Sequence, residues 1–183
     1  MRGLIVILIL SVFLAFPRLP AYGESPAKRD MSKGGSSLIG KSEVDSDFDG
    51  RIDRWIHYDD EGKVVKAEFD NNKDEKPDHW EYYGKDKKVE KLERDNDFNG
   101  KVDQWAFFDI EGRQVRSEFD TNGDGKPDQW EYYDKSGKIE RLEIDSNSDG
   151  KPDQWGYYKE GKLIKNEFDS NFDGKVDRRE VYR

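Results

Sequence analysis

The sequence predicts an all-β protein: an elongated array of five β-hairpin repeats, each about 25 residues long, joined by acidic loops and overlaid by a 50-residue superperiod. Three observations predict it. Trp55, Trp80, Trp105, Trp130 and Trp155 stand 25 residues apart. Acidic loops keep the same interval, beginning at Asp45, Asp70, Asp95, Asp120, Asp145 and, one residue early, Asp169. Between them the apolar residues follow the two-residue period of strands. A fixed period of this size marks a repeat array, in which each unit buries its apolar face against its neighbours.

The elements follow in order along the chain. Arg2 precedes an apolar run from Leu4 to Phe16, shorter than the roughly 20 residues that span a bilayer, and "PRLPAYG" then offers small residues at Ala21 and Gly23. Residues 1–23 therefore read as a signal peptide cleaved after Gly23, so that the mature chain is secreted or periplasmic with no stable membrane insertion. Residues 24–41, "ESPAKRDMSKGGSSLIGK", lack periodicity and read as a flexible linker, and residues 42–183 as the repeat domain.

Within a repeat, "WEYYDKSGKIERLEID" (residues 130–145) has an aromatic run, a turn at Gly137 and an alternating second strand. Gly62 and Gly112 stand at the equivalent turns, where a hairpin needs positive φ. Lys66 with Glu68, Lys91 with Glu93, Arg116 with Glu118, Arg141 with Glu143 and Lys165 with Glu167 predict a solvated, charge-laddered face. Trp80 with Tyr82 and Trp130 with Tyr132 are expected to form the core, which leaves Tyr83, Tyr133 and Tyr158 on the opposite face as a candidate exposed strip for a glycan. The superperiod lies in Glu81, Glu131 and Glu180, which alternate with Ile56, Ala106 and Gly156. It predicts inequivalent hairpins, for example packed on opposite sides of a shared core. Four strands per 50 residues would also suit a propeller blade, but two and a half blades cannot close a ring.

Composition bounds the function. Hydrophobic content is low at 33%, charged content is 40%, and aromatics reach 13%, which suits an ordered domain with a thin core rather than a disordered acidic chain. Loss of Arg2 and Arg18 with the leader takes the net charge from −9 to −11, which argues against nucleic acid as a partner. There is no cysteine, and the two histidines, His57 and His79, read as surface substitutions. With no G-x-S-x-G and no phosphate-binding glycine loop, the chain is expected not to be an enzyme.

The loops read "DSDFDGRID", "DNNKDEKPD", "DNDFNGKVD", "DTNGDGKPD", "DSNSDGKPD" and "DSNFDGKVD". Oxygen-bearing side chains recur at positions 1, 3, 5 and 9: Asp45, Asp47, Asp49 and Asp53; Asp70, Asn72, Asp74 and Asp78; Asp95, Asp97, Asn99 and Asp103; Asp120, Asn122, Asp124 and Asp128; Asp145, Asn147, Asp149 and Asp153; Asp169, Asn171, Asp173 and Asp177. Position 7 would add a backbone carbonyl, from Arg51, Lys76, Lys101, Lys126, Lys151 and Lys175. Six to eight oxygens on a tightly curled loop suit Ca²⁺ better than zinc or magnesium, and up to six ions would offset the acidic charge. Asp, Asn and Gly also make good turns unaided, but six copies with the same offsets favour metal.

These loops resemble the D-x-[DN]-x-[DN]-G-x-x-D pattern of EF-hands, thrombospondin type 3 repeats and the calcium-binding hairpin loops of integrin-type propellers. The whole repeat, from residue 45 to 183, is similar to that of exported bacterial repeat proteins with such loops. The resemblance implies calcium ligands at positions 1, 3, 5 and 9, and at position 12 only in the even loops, at Glu81, Glu131 and Glu180. Glu75 at the glycine position and Asn99 at position 5 depart from it, so the second and third loops are the expected weakest sites. The function expected is a calcium-stiffened structural or adhesive module, with a cell-surface glycan or protein as the alternative partner.

Overall fold

The structure is a computed structural model that describes residues 40–183; the expected signal peptide and nearly all of the linker lie outside the described residues. Twelve strands follow one another: β1 (Lys41–Val44), β2 (Arg54–Tyr58), β3 (Val64–Phe69), β4 (His79–Tyr83), β5 (Val89–Arg94), β6 (Gln104–Phe108), β7 (Gln114–Phe119), β8 (Gln129–Tyr133), β9 (Ile139–Ile144), β10 (Gln154–Lys159), β11 (Lys162–Phe168) and β12 (Arg178–Val181). Each pairs antiparallel with its sequence neighbours, in one open sheet of order β1 to β12. Among the described residues no helix is long and apolar enough to cross a membrane.

The five predicted hairpins are β2–β3, β4–β5, β6–β7, β8–β9 and β10–β11. The first and last acidic loops, expected to be terminal, are instead closed by β1 and β12, and Lys41 belongs to β1 rather than to the linker. Because consecutive strands run in opposite directions, all six acidic loops share one end of the strands and all five hairpin turns the other. Packing of odd and even hairpins about a shared core is overturned, since all of them lie in a single layer.

Each hairpin carries a register shift just before its turn, as between His57 and Tyr58 opposite Lys66 and Val64. Gly62, Gly112 and Gly137 take positive φ as predicted, and Lys87 adopts φ 65° at the same position of the β4–β5 turn. The shortened last repeat closes through Glu160 and Gly161 at φ 53° and 79°, so deletion of one residue has selected a two-residue turn.

The two faces differ from expectation. On one, Trp55, Trp80, Trp105, Trp130 and Trp155 alternate across the strands with Glu43, Glu68, Glu93, Glu118, Glu143 and Glu167. A parallel row alternates cations with rings, with Arg116 4.2 Å from the Phe107 ring centre, Arg141 4.1 Å from Tyr132 and Lys165 3.7 Å from Tyr157. Glu93 accepts from Lys91 on its own strand and from the Tyr82 hydroxyl (2.7 Å) across the ladder; these two donors hold its carboxyl low against the opposing effect of burial. The tryptophans are thus half-buried among charges, not core, because their rings and the ion-pair ladder share one face.

The buried face is the other one. Its central row runs Ser42, Ile56, Ala67, Glu81, Leu92, Ala106, Ser117, Glu131, Leu142, Gly156, Asn166 and Glu180. Ala67, Ala106 and Ser117 are sealed from solvent at 1% exposure or less, by larger side chains rising on either side of the row. A methyl on Gly156 would stand 3.2 Å from the Tyr158 ring, so Tyr158 lies over this glycine. Tyr83, Tyr133 and Tyr158 are half-buried here and form no exposed strip. The 50-residue superperiod is a packing rule: Glu81 bonds the Tyr83 hydroxyl, Glu131 that of Tyr133 (2.6 Å) and Glu180 that of Tyr182 (2.7 Å), while β2, β6 and β10 supply Ile56, Ala106 and Gly156.

His79 is no surface substitution. It is buried, its ring 4.9 Å from that of Phe69, and burial with the Arg94 charge pushes it down to about 4. Glu81 Oε1 lies 3.7 Å from His79 Nε2, beyond hydrogen-bond reach, whereas Gln129 donates to the equivalent Glu131 Oε1 at 3.2 Å. Between pH 6.5 and 4 the unfolded chain binds the proton that folded His79 refuses, so stability falls as pH is lowered through that window, by about 2 to 3 kcal/mol from this residue. His79→Gln is expected to flatten that dependence, read from urea unfolding at pH 7 and pH 4.5.

Candidate metal centre

The six acidic loops share one backbone path. Positions 4 and 6 are both left-handed in all of them: Phe48 and Gly50, Lys73 and Glu75, Phe98 and Gly100, Gly123 and Gly125, Ser148 and Gly150, Phe172 and Gly174. Glycine was expected only at position 6, and the second left-handed residue was missed because four residue types, Phe, Lys, Gly and Ser, occupy it.

Aspartate at position 1 organises the bend. One oxygen accepts the position 5 N–H and the other the position 6 N–H: Asp49 (3.2 Å) and Gly50 (2.9 Å) on Asp45, Asp74 (3.2 Å) and Glu75 (2.7 Å) on Asp70, Asn99 (3.1 Å) and Gly100 (2.7 Å) on Asp95. Asp120, Asp145 and Asp169 do the same for their loops. Position 3 then accepts from the N–H of position 5, and position 5 from that of position 7, as when Asn122 takes Asp124 at 2.9 Å and Asp124 takes Lys126 at 2.8 Å. Each is a side chain closing a turn on its own backbone two residues on.

Position 9 has a partner that sequence reasoning missed. Asp53 accepts from Ser46 Oγ (2.7 Å), Asp128 from Thr121 Oγ1 (2.7 Å), Asp153 from Ser146 Oγ (2.8 Å), Asp177 from Ser170 Oγ (2.9 Å), and Asp78 and Asp103 from the amides of Asn71 and Asn96. The signal was present, since position 2 is Ser, Asn or Thr in all six loops. Neighbouring loops are also tied together. The position 9 carbonyl of one accepts the position 1 N–H of the next, from Asp70 to Asp53 (2.9 Å), Asp95 to Asp78 (2.8 Å), Asp120 to Asp103 (3.0 Å), Asp145 to Asp128 (2.8 Å) and Asp169 to Asp153 (2.8 Å).

The donor set is all oxygen, as a hard cation requires. Carboxylate oxygens of Asp45, Asp47 and Asp49 lie within 4.8 Å of one another, as do those of Asp95, Asp97 and Asp103. Burial and the nearby Asp97 carboxylate raise Asp95, opposed by the N–H groups of Gly100 and Asn99. In the first loop a cation is already in place: the Lys73 ammonium of the second loop bonds Asp47 and lies 3.5 Å from Asp49. Four loops carry asparagine at position 3 and bring no third carboxylate into such a group. The residues proposed at position 7 are exposed, their side chains directed to solvent or a neighbouring loop, as Lys101 is to the Gly123 carbonyl (3.0 Å). Glu81, Glu131 and Glu180 are turned to the tyrosine hydroxyls and do not complete the loops.

No family model and no curated protein matches the chain. Among solved structures it is similar to TarM, at 12% identity with a TM-score of 0.41 over 58% of this chain and 20% of that one. It is similar to the GtfA/B complex at 15% identity, TM-score 0.39, over 55% and 19%. A third, accessory secretory protein 1, 2 and 3 of Streptococcus pneumoniae, gives 16% identity and TM-score 0.32 over 58% and 19%. The chain thus spans about a fifth of the length of each. Beside these neighbours the expectation that the chain is not an enzyme is withdrawn, and likenesses this slight bring no activity to it.

Glu75 at φ 69° carries the strain that glycine avoids in the other five loops. Glu75→Gly is expected to stabilise the fold by about 1 kcal/mol, less the added freedom of the unfolded chain, measured as a shift in the urea midpoint.

Proposed function

We propose that the chain is a secreted or periplasmic calcium-binding structural or adhesive module, in which Ca²⁺ taken up by the acidic loops stiffens the sheet. The observation that carries this reading is the convergence of three carboxylates within 4.8 Å in each of the first and third loops, on a bend that all six loops share. Positions 1, 3, 5 and 9 would supply side-chain oxygens and position 7 a carbonyl, with water completing the shell. Within these bends calcium would replace electrostatic repulsion between the carboxylates with attraction. Each filled site would add about 2.7 kcal/mol of stability at a hundredfold excess over its Kd.

A calorimetric titration of calcium into the metal-free chain tests this, together with melting followed by circular dichroism with and without chelator. The expected outcome is uptake of up to six ions and a rise in Tm. Asp103→Asn keeps the bond from Asn96 but removes a charge, and is expected to weaken the third loop alone. Lys73→Ala withdraws the competing ammonium and is expected to strengthen the first. Absence of heat together with an unchanged melt would sink the reading.

The tryptophan row, half-buried on the face opposite the buried row, favours a second reading, a glycan- or protein-binding module with calcium purely structural. The strip is then Trp80, Trp105 and Trp130 with Tyr82 and Tyr132, not Tyr83 and Tyr133. Glycan-array binding lost in Trp80→Ala and Trp130→Ala, with the calcium titration unchanged, would select it.

A further inference from the structure

The two edge strands are not generic ends. β1 and the residue after it read "KSEVD" (41–45), the second-strand motif of the interior hairpins: "KAEFD" (66–70), "KLERD" (91–95), "RSEFD" (116–120), "RLEID" (141–145) and "KNEFD" (165–169). β12 and its next residue read "RREVY" (178–182), the first-strand motif of the even hairpins "HWEYY" (79–83) and "QWEYY" (129–133). In every complete hairpin a first strand pairs with the second strand that follows it. Among the described residues β1 has no first strand beside it and β12 no second.

Backbone polarity agrees. Tyr58 N donates to Gly40 O (2.8 Å) and Tyr182 N to Ile164 O (2.9 Å), which fixes which residues of each edge strand face inward. By the alternation of an antiparallel ladder, the peptide groups of Lys41 and Glu43 on β1, and of Arg179 and Val181 on β12, point outward. These are the positions that bond within an interior hairpin, where Trp80 faces Glu93 and Tyr82 faces Lys91. Neither edge strand contains a proline or a register shift that would blunt it.

We propose that β12 of one copy pairs antiparallel with β1 of a second copy, rebuilding the absent hairpin across the boundary. The register follows the interior pattern: Arg178 with Val44, Arg179 with Glu43, Glu180 with Ser42 and Val181 with Lys41. Arg179 occupies the place of the repeat tryptophan, already bonded to Glu167 at 2.8 Å, and would face Glu43 on its other side as Trp80 faces Glu68 and Glu93. Both side chains are exposed, Arg179 at 67% and Glu43 at 54%, and Glu43 is paired on its own strand only with Lys41 (3.0 Å). Glu180 would meet Ser42 at the place where Glu81 meets Leu92 and Glu131 meets Leu142. The acidic row would continue, with Asp45 beside Asp177. Since the two surfaces differ, the contact is head to tail and does not close on itself, so it generates linear chains of copies.

Sedimentation velocity of the purified chain in calcium, over a concentration series, tests the proposal. The expected result is a ladder of multiples that grows with concentration. Glu43→Pro and Val181→Pro each remove an outward N–H while sparing the inner ladder, and each is expected to give a monomer. Glu43→Arg and Arg179→Glu are each expected to abolish association as single changes and to restore it when combined in one chain. A monomeric wild type overturns the proposal, including one whose Lys41 and Glu43 amides are protected from exchange because the chain covers its own edge. So does association that survives the proline and charge-reversal variants.

Discussion

A sheet without a second layer has nothing to pack against, and that constraint shapes every part of the described chain. Domains ordinarily bury one layer on another. Here the sheet must cover itself, and it does so by keeping one row of residues small enough to sink between the taller side chains on either side. Ala67, Ala106, Ser117 and Gly156 are low points of this row, and Tyr158 folding over Gly156 is one of its covers. Ile56, Leu92 and Leu142 fill the row between them, and Glu81 and Glu131 are carboxylates tolerated there because a tyrosine two residues on turns its hydroxyl to them. The opposite face cannot be sealed in this way, so its rings are interleaved with cations and carboxylates that remain in partial contact with water.

The loops extend the same economy to the strand ends. Each bend is closed by side-chain oxygens accepting nearby N–H groups, and each is tied by one main-chain bond to the next. Asp45 is the only position 1 aspartate that is not buried, because no preceding loop stands over it in the described chain. Its loop is also the one that draws in the Lys73 ammonium, so the first bend meets its charge requirement from a neighbour.

Much of this was legible in the sequence. The tryptophan and aspartate spacing located the hairpins, and the Gly62, Gly112 and Gly137 turns closed where they should. Position 6 of the loops was read correctly, down to the strained Glu75. What was not legible was relational. Alternation tells which residues share a face but not which face is covered, and tryptophan, as the largest apolar side chain, pointed to the wrong one. His79 looked isolated because its neighbours Phe69, Glu81 and Arg94 come from three strands. Position 2 of the loops was visible as a pattern of Ser, Asn and Thr, but its meaning depends on the bend that brings it to position 9.

Every strand touches only the strands before and after it in the chain. A nucleus can therefore start at any hairpin and spread sideways with little loop-closure cost, which favours rapid assembly despite the all-β composition. The same topology means that tension applied to the two ends loads one ladder at a time, peeling ribbons from the rim while the middle keeps its order. Such a sheet yields gradually under force and re-forms from whatever remains intact.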